Sequence, residues 1–159
     1  MLTVPDMDLP DLQATERLAK MIAMEAETGD VICLKGELGV GKTAFTRAFV
    51  SSFFAEGIEV PSPTFGLVQA FSAPEFSILH YDLYRIKHQN ELAELGLEEA
   101  FSSGVTLIEW PEIIRPLLPE NFIELNLAYG KTEESRVASL SAHGSWQQRL
   151  GPVEKYYHA

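Results

Sequence analysis

The run Gly36-Glu37-Leu38-Gly39-Val40-Gly41-Lys42-Thr43 has the spacing of a triphosphate-binding loop: Gly, four residues, Gly, Lys, then Ser or Thr. Its glycines let the backbone turn tightly, so that successive N–H groups can point at phosphate oxygens. Lys42 is a mobile point charge with the reach to meet terminal phosphates, and Thr43 can offer a hydroxyl to Mg²⁺. The flanks suit that chemistry. Val31-Ile32-Cys33-Leu34 reads as a short buried strand, and Ala44 to Val50 reads as a helix whose N-terminus adds the positive end of its dipole. The stretch expected to contact nucleotide is Glu37, Leu38, Gly39, Val40, Gly41, Lys42, Thr43 and Ala44.

Binding phosphate is not hydrolysing it. Turnover also needs a carboxylate that holds the metal or orients a nucleophile. Two apolar strands end in one: Ser77-Ile78-Leu79-His80-Tyr81-Asp82 and Val105-Thr106-Leu107-Ile108-Glu109. The carboxyl ends of parallel strands are where ligands bind in open α/β sheets, so Asp82 and Glu109 are the candidate catalytic carboxylates. Thr64, in Ser62-Pro63-Thr64-Phe65, sits on a proline-restrained loop that can approach a γ-phosphate. Trp110 is expected to fill the core. His80 has no zinc-site spacing around it and is expected to be hydrogen-bonded and structural. Arg85 can pair with a carboxylate or reach a phosphate, and the sequence leaves that open.

These residues need a scaffold. Asp11 to Glu27 has helical spacing and stops at Gly29-Asp30. After the loop and its helix, strands are expected at 66–72 and 77–82, with Ser72-Ala73-Pro74-Glu75 as the turn. Short helical pieces at 91–95 and 97–101 are divided by Gly96. A strand follows at 105–109, and a late pair at 122–129 and 136–141 is joined by Gly130-Lys131-Thr132-Glu133-Glu134. A last helix begins near Trp146, and the tail beyond Pro152 is expected to be loose. Strands interleaved with helices predict one α/β domain over residues 1–159. Its sheet is expected to be mostly parallel, with antiparallel edge strands and helices on both faces.

The chain has 159 residues, enough to bury a substantial core, and 46% of them are hydrophobic. No apolar run approaches the ~20 residues that span a bilayer. Met1 to Asp8 is acidic, unlike a secretory signal. Cys33 is the only cysteine, which excludes an internal disulfide and places the thiol in a buried strand. Together these features predict a cytoplasmic protein. With a formal charge of −11 and no Lys/Arg-rich stripe, the chain should repel phosphate backbones. Direct contact with DNA or RNA is not expected, although an acidic surface can dock a basic partner.

Five segments occur in one order: Gly36 to Thr43, Ser62-Pro63-Thr64-Phe65, His80-Tyr81-Asp82-Leu83-Tyr84-Arg85, Glu94-Leu95-Gly96 and Ile108-Glu109-Trp110-Pro111-Glu112. In this the chain resembles the bacterial TsaE (YjeE) family from about residue 12 to 142. Val40 and Ala44 stand where Ala and Thr are common in the family. The resemblance implies a small ATPase of tRNA modification, using ATP and Mg²⁺. Its partners would be the proteins TsaB and TsaD, which build threonylcarbamoyladenosine next to the anticodon. TsaD would transfer the group, the ATPase would drive or reset turnover, and tRNA would be met only through the complex.

The resemblance associates Lys42, Thr43, Asp82 and Glu109 with ATP and Mg²⁺, and puts Thr64 in a nucleotide-sensing loop. On this reading the loop amides and Lys42 hold the β- and γ-phosphates, Thr43 and Glu109 position the metal directly or through water, and Asp82 orients the attacking water or a metal-bound water. Which carboxylate touches metal directly stays open. Two alternatives are a small-molecule kinase and a non-catalytic nucleotide-sensing module. Against the kinase, the six arginines are scattered and form no phosphate-clamping lid.

Overall fold

In the computed structural model, which describes residues 1–54 and 68–158, one sheet carries every strand. The elements in chain order are β1 (Leu2–Leu9), α1 (Leu12–Met24), β2 (Val31–Lys35), α2 (Lys42–Ser51), β3 (Val68–Ser72) and β4 (Ser77–Asp82). A 3₁₀ segment (Gln89–Leu95), α3 (Leu97–Ser103), β5 (Gly104–Glu109) and a second 3₁₀ segment (Pro111–Leu117) follow. The chain then forms β6 (Phe122–Tyr129), β7 (Arg136–Ala142), α4 (Trp146–Arg149) and α5 (Gly151–Tyr157). Among the described residues no helix is long and apolar enough to cross a membrane. The Ser62–Phe65 segment, with Thr64, lies outside the described residues.

The strand order is β1-β7-β6-β2-β5-β4-β3. At its centre β6, β2, β5 and β4 run parallel, with β2 between β6 and β5. The outer pairings β1/β7, β7/β6 and β3/β4 are antiparallel. The sheet is therefore evenly mixed rather than mostly parallel: the late hairpin extends it on one side and a second hairpin on the other. Strand alternation separates two cores. Ile32 and Leu34 of β2 face α1, α2 and α5, whereas Val31 and Cys33 face α3 and the 3₁₀ segments. Helical elements thus cover both faces, as expected.

Local chemistry explains most boundaries. Asp11 caps α1 by accepting the Ala14 amide at 2.9 Å. Leu18, Ala19, Ile22 and Ala23 then bury one stripe. Strand β1 was not expected from the acidic N-terminus. It buries Val4, Met7 and Leu9, but an irregularity between Val4 and Met7, with Asp6 at φ 21°, breaks the period of two that would have marked it. The tail expected to be loose is α5. It buries Val153, packs on α1 and β1, and places His158 Nε2 2.5 Å from the Pro5 carbonyl.

Cys33 is fully buried, and burial, reinforced by the charge of Glu124, pushes its thiol up to about 12. It therefore stays a protonated, inert group at neutral pH. At pH 8 the folded protein should resist iodoacetamide over hours and react within minutes once unfolded, as mass spectrometry would show. Equal labelling of both states would contradict this placement.

Candidate functional site

The glycine loop leaves the carboxyl end of β2, the middle strand of the parallel core, and enters α2. Two glycines there are structurally required. Gly36 has φ 147°, and a Cβ on it would meet the Leu127 carbonyl oxygen at 2.6 Å and Val40 Cγ1 at 2.7 Å. Gly39 has φ 81°, and a Cβ there would come within 3.2 Å of the Tyr129 hydroxyl. Among the described residues, no turn or cap bond between backbone groups engages the amides of Gly39, Gly41, Lys42 or Thr43. Thr43 lies in the first turn of α2, half-buried.

Register brings the two strand-end carboxylates beside this loop. Leu34 of β2 pairs with Glu109 of β5, and Glu109 pairs with Asp82 of β4. Lys42 is only 4% exposed. Its Nζ donates to the Gly36 carbonyl at 2.6 Å and lies 3.6 Å from the centre of the Trp110 ring, a cation–π contact. Burial pushes the Lys42 ammonium below its ordinary value, and the charges of Glu109, Asp82 and Glu112 oppose that push. One partly desolvated cation and three carboxylates thus influence one another at the carboxyl ends of β4 and β5.

The carboxylates differ in setting. Glu109 is buried, and its Oε2 accepts from His80 Nε2 at 2.7 Å. The expectation that His80 is hydrogen-bonded holds, and its partner is the candidate metal ligand. Asp82 is half-buried and accepts the Tyr84 amide at 3.1 Å. Among the described residues Arg85 forms no ion pair, and its side chain is exposed.

Trp110 does not fill the core. It is half-buried, with φ 58° and ψ 61°, and its ring lies between Lys42 and Tyr84, 4.9 Å from the tyrosine ring centre. The left-handed backbone turns the indole out of the strand path and over the loop. Such a conformation costs roughly 1–3 kcal/mol for a non-glycine residue and concentrates at functional sites.

Two further residues at the loop went unsuspected. The Tyr129 hydroxyl donates to the Leu38 carbonyl at 3.1 Å, and Arg136 Nε donates to the Val40 carbonyl at 2.8 Å. Only their position flanking the polar turn of the late hairpin hinted at a common role. Beside them a cleft of about 480 Å³ opens between the start of α1 (Asp11, Leu12, Thr15) and Val40, Ala44 and Arg136.

The donor set suits Mg²⁺ bound together with a phosphate. Among the described residues no group of three or more His, Cys, Asp or Glu forms a protein-only cage. Mg²⁺ rarely uses one: it takes one or two carboxylates, phosphate oxygens and waters. Glu109, whose second oxygen has no hydrogen-bond partner among the described residues, Asp82 and the Thr43 hydroxyl supply that kind of set.

A glycine loop between a central parallel strand and a helix, with carboxylates on the neighbouring strand ends, defines a mixed α/β protein whose loop carries the spacing of a phosphate-binding turn. The chain belongs to the TsaE family. The sequence profile described as "Threonylcarbamoyl adenosine biosynthesis protein TsaE" matches residues 9–138. A Rickettsia bellii protein named tRNA threonylcarbamoyladenosine biosynthesis protein TsaE is 48% identical over 115 residues, covering 72% of this chain and 80% of that one. A Bacillus subtilis protein of the same name is 34% identical over 126 residues, covering 79% and 78%. The crystal structure of B. subtilis YdiB matches with a TM-score of 0.77 at 26% identity, covering 99% of this chain and 97% of that chain.

Proposed function

We propose that this chain is a Mg²⁺-dependent ATPase that supports turnover of a TsaB–TsaD complex in threonylcarbamoyladenosine modification of tRNA. The observation that carries the proposal is the convergence of Lys42, Glu109 and Asp82 on a glycine loop in a chain of the TsaE family. The tRNA-modification role rests on family membership. The ATPase chemistry rests on the site.

In this reading the loop amides and Lys42 hold the β- and γ-phosphates. The nucleoside extends into the cleft beside Ala44. Thr43 and Glu109 bind the metal, with His80 fixing the Glu109 carboxylate, and Asp82 orients the attacking water. The metal supplies charge neutralisation on the phosphates. Arg85, the candidate in this chain to stabilise the transition state, is exposed and forms no ion pair among the described residues, and Arg136 Nε is already engaged by a loop carbonyl. The isolated chain should therefore turn over slowly, since a cation supplied by another protein can be worth ~10³–10⁵ in rate.

Glu109→Ala should leave nucleotide affinity within a few-fold of wild type in the absence of Mg²⁺ and lower Mg²⁺-dependent turnover by about 10²-fold or more. Turnover at the wild-type rate in that variant would contradict the metal assignment.

Binding itself can be read from Trp110. Phosphate entering the loop competes with the Trp110 ring for Lys42, so ATP should change the emission of Trp110. Trp146, fully buried, should be silent. A saturable change that disappears in Trp110→Phe is the expected result. An unchanged spectrum at millimolar Mg-ATP, with no heat of binding by calorimetry, would refute nucleotide binding at this loop.

A further inference from the structure

We infer that Tyr129 and Arg136 are positioning residues that preset the phosphate loop by fixing the direction of two of its amides. This rests on reading the loop as a phosphate site, and it goes beyond that reading by assigning the loop's shape to the β6–β7 hairpin.

In a planar trans peptide, the carbonyl and the following N–H point in opposite directions. The chain has no cis peptide bonds among its described residues. Fixing the Leu38 carbonyl therefore fixes the Gly39 N–H, and fixing the Val40 carbonyl fixes the Gly41 N–H. The structure pins both carbonyls. Tyr129 Oη holds Leu38 at 3.1 Å and Arg136 Nε holds Val40 at 2.8 Å. The two N–H groups must then face away from the hairpin.

The two pins act as one unit. Tyr129 and Arg136 are cross-strand partners at the end of β6 and the start of β7. The Arg136 guanidinium lies 4.7 Å from the centre of the Tyr129 ring, and its Nη1 donates to the Glu133 and Ser135 carbonyls at 2.8 Å each. The arginine is thereby locked to the hairpin turn before it reaches the loop. Gly39 and Gly41 both have positive φ, at 81° and 120°, so they have the backbone freedom that this arrangement exploits. Without the pins, glycines in a loop sample many orientations, and ordering them on an anion costs entropy. The clamp removes that cost in advance.

The test uses the full chain with inorganic tripolyphosphate, adenosine and ATP as separate probes. Tyr129→Phe should weaken tripolyphosphate about 3- to 10-fold, the value of one neutral hydrogen bond, and Arg136→Gln about 10- to 100-fold. Adenosine affinity should stay at the wild-type value in Tyr129→Phe, whose side chain lies outside the cleft that takes the nucleoside. Arg136→Lys, which keeps a donor, should recover part of the loss. Amide NMR gives a readout that mere destabilisation would not move: tripolyphosphate should shift Gly39 and Gly41 in wild type and shift them less in both variants. In ATP hydrolysis the loss should appear in KM more than in kcat. Wild-type tripolyphosphate affinity in both variants would overturn the clamp alone. Equal losses for adenosine and tripolyphosphate in Tyr129→Phe would also overturn it, by placing that side chain on the nucleoside. A wild-type chain that binds no tripolyphosphate would overturn the phosphate-site reading and the clamp with it.

Discussion

Replacing Lys42 with alanine will lower kcat/KM for Mg-ATP by about 10²–10³-fold or more, the range seen when one charge-stabilising donor leaves a buried site. The setting argues for the upper end. Lys42 is 4% exposed, and burial disfavours its charged form, so its charge acts in a partly desolvated setting. It is also the cation that Glu109, Asp82 and Glu112 face. Without it, those carboxylates repel an incoming triphosphate, which adds a penalty beyond the lost contact. Lys42→Arg should not rescue, because the planar guanidinium replaces a compact point charge held between the Gly36 carbonyl and the Trp110 ring. Calorimetric titration with ATP and steady-state kinetics would check this. A Lys42→Ala variant within 3-fold of wild type in both would remove the central residue from the proposed site.

Asp30→Ala should cost about 3–5 kcal/mol of stability, the range for breaking one side of a buried ion pair. Asp30 is 1% exposed and receives Arg149 in a bidentate pair at 2.6 and 2.7 Å, together with the Glu27 amide at 2.6 Å. Arg149 also donates to the Glu25 carbonyl at 2.7 Å and the Ser145 hydroxyl at 2.8 Å, and stacks 4.0 Å over the Trp146 ring. The pair thus ties α4 to the turn between α1 and β2. Removing Asp30 strands a guanidinium amid groups arranged for its partner. Thermal denaturation should show a fall of about 6–20 °C in Tm. The cluster sits at the end of β2 opposite the glycine loop, so ATP affinity of the folded variant should stay near wild type. A Tm within 2 °C of wild type would refute this account of the Asp30–Arg149 pair.

What the sequence disclosed follows a physical division. The loop was legible because its chemistry is local: glycine spacing, Lys42 and Thr43 are contiguous, and the strand and helix beside them are short-range patterns. Asp82 and Glu109 were legible because an apolar run ending in a carboxylate marks a strand end, and parallel register did the rest. Strand β1 stayed hidden because its irregularity near Asp6 erases the alternation. Helix α5 is short, and its stability comes from packing on α1 and β1 rather than from its own residues. Trp110 was misplaced because an aromatic after an apolar strand suggests core, and nothing local announces a left-handed backbone. Tyr129 and Arg136 meet the loop across 91 and 96 residues of sequence, so only the sheet order brings them there.

The most direct test of the central claim is Mg²⁺-dependent ATP hydrolysis by the purified chain, alone and with a TsaB–TsaD pair, with Lys42→Ala as control. Slow hydrolysis alone, faster with the pair and lost in the variant, is the predicted result. Tight ATP binding with no hydrolysis in either condition would contradict the ATPase account and leave the chain as a nucleotide-sensing module.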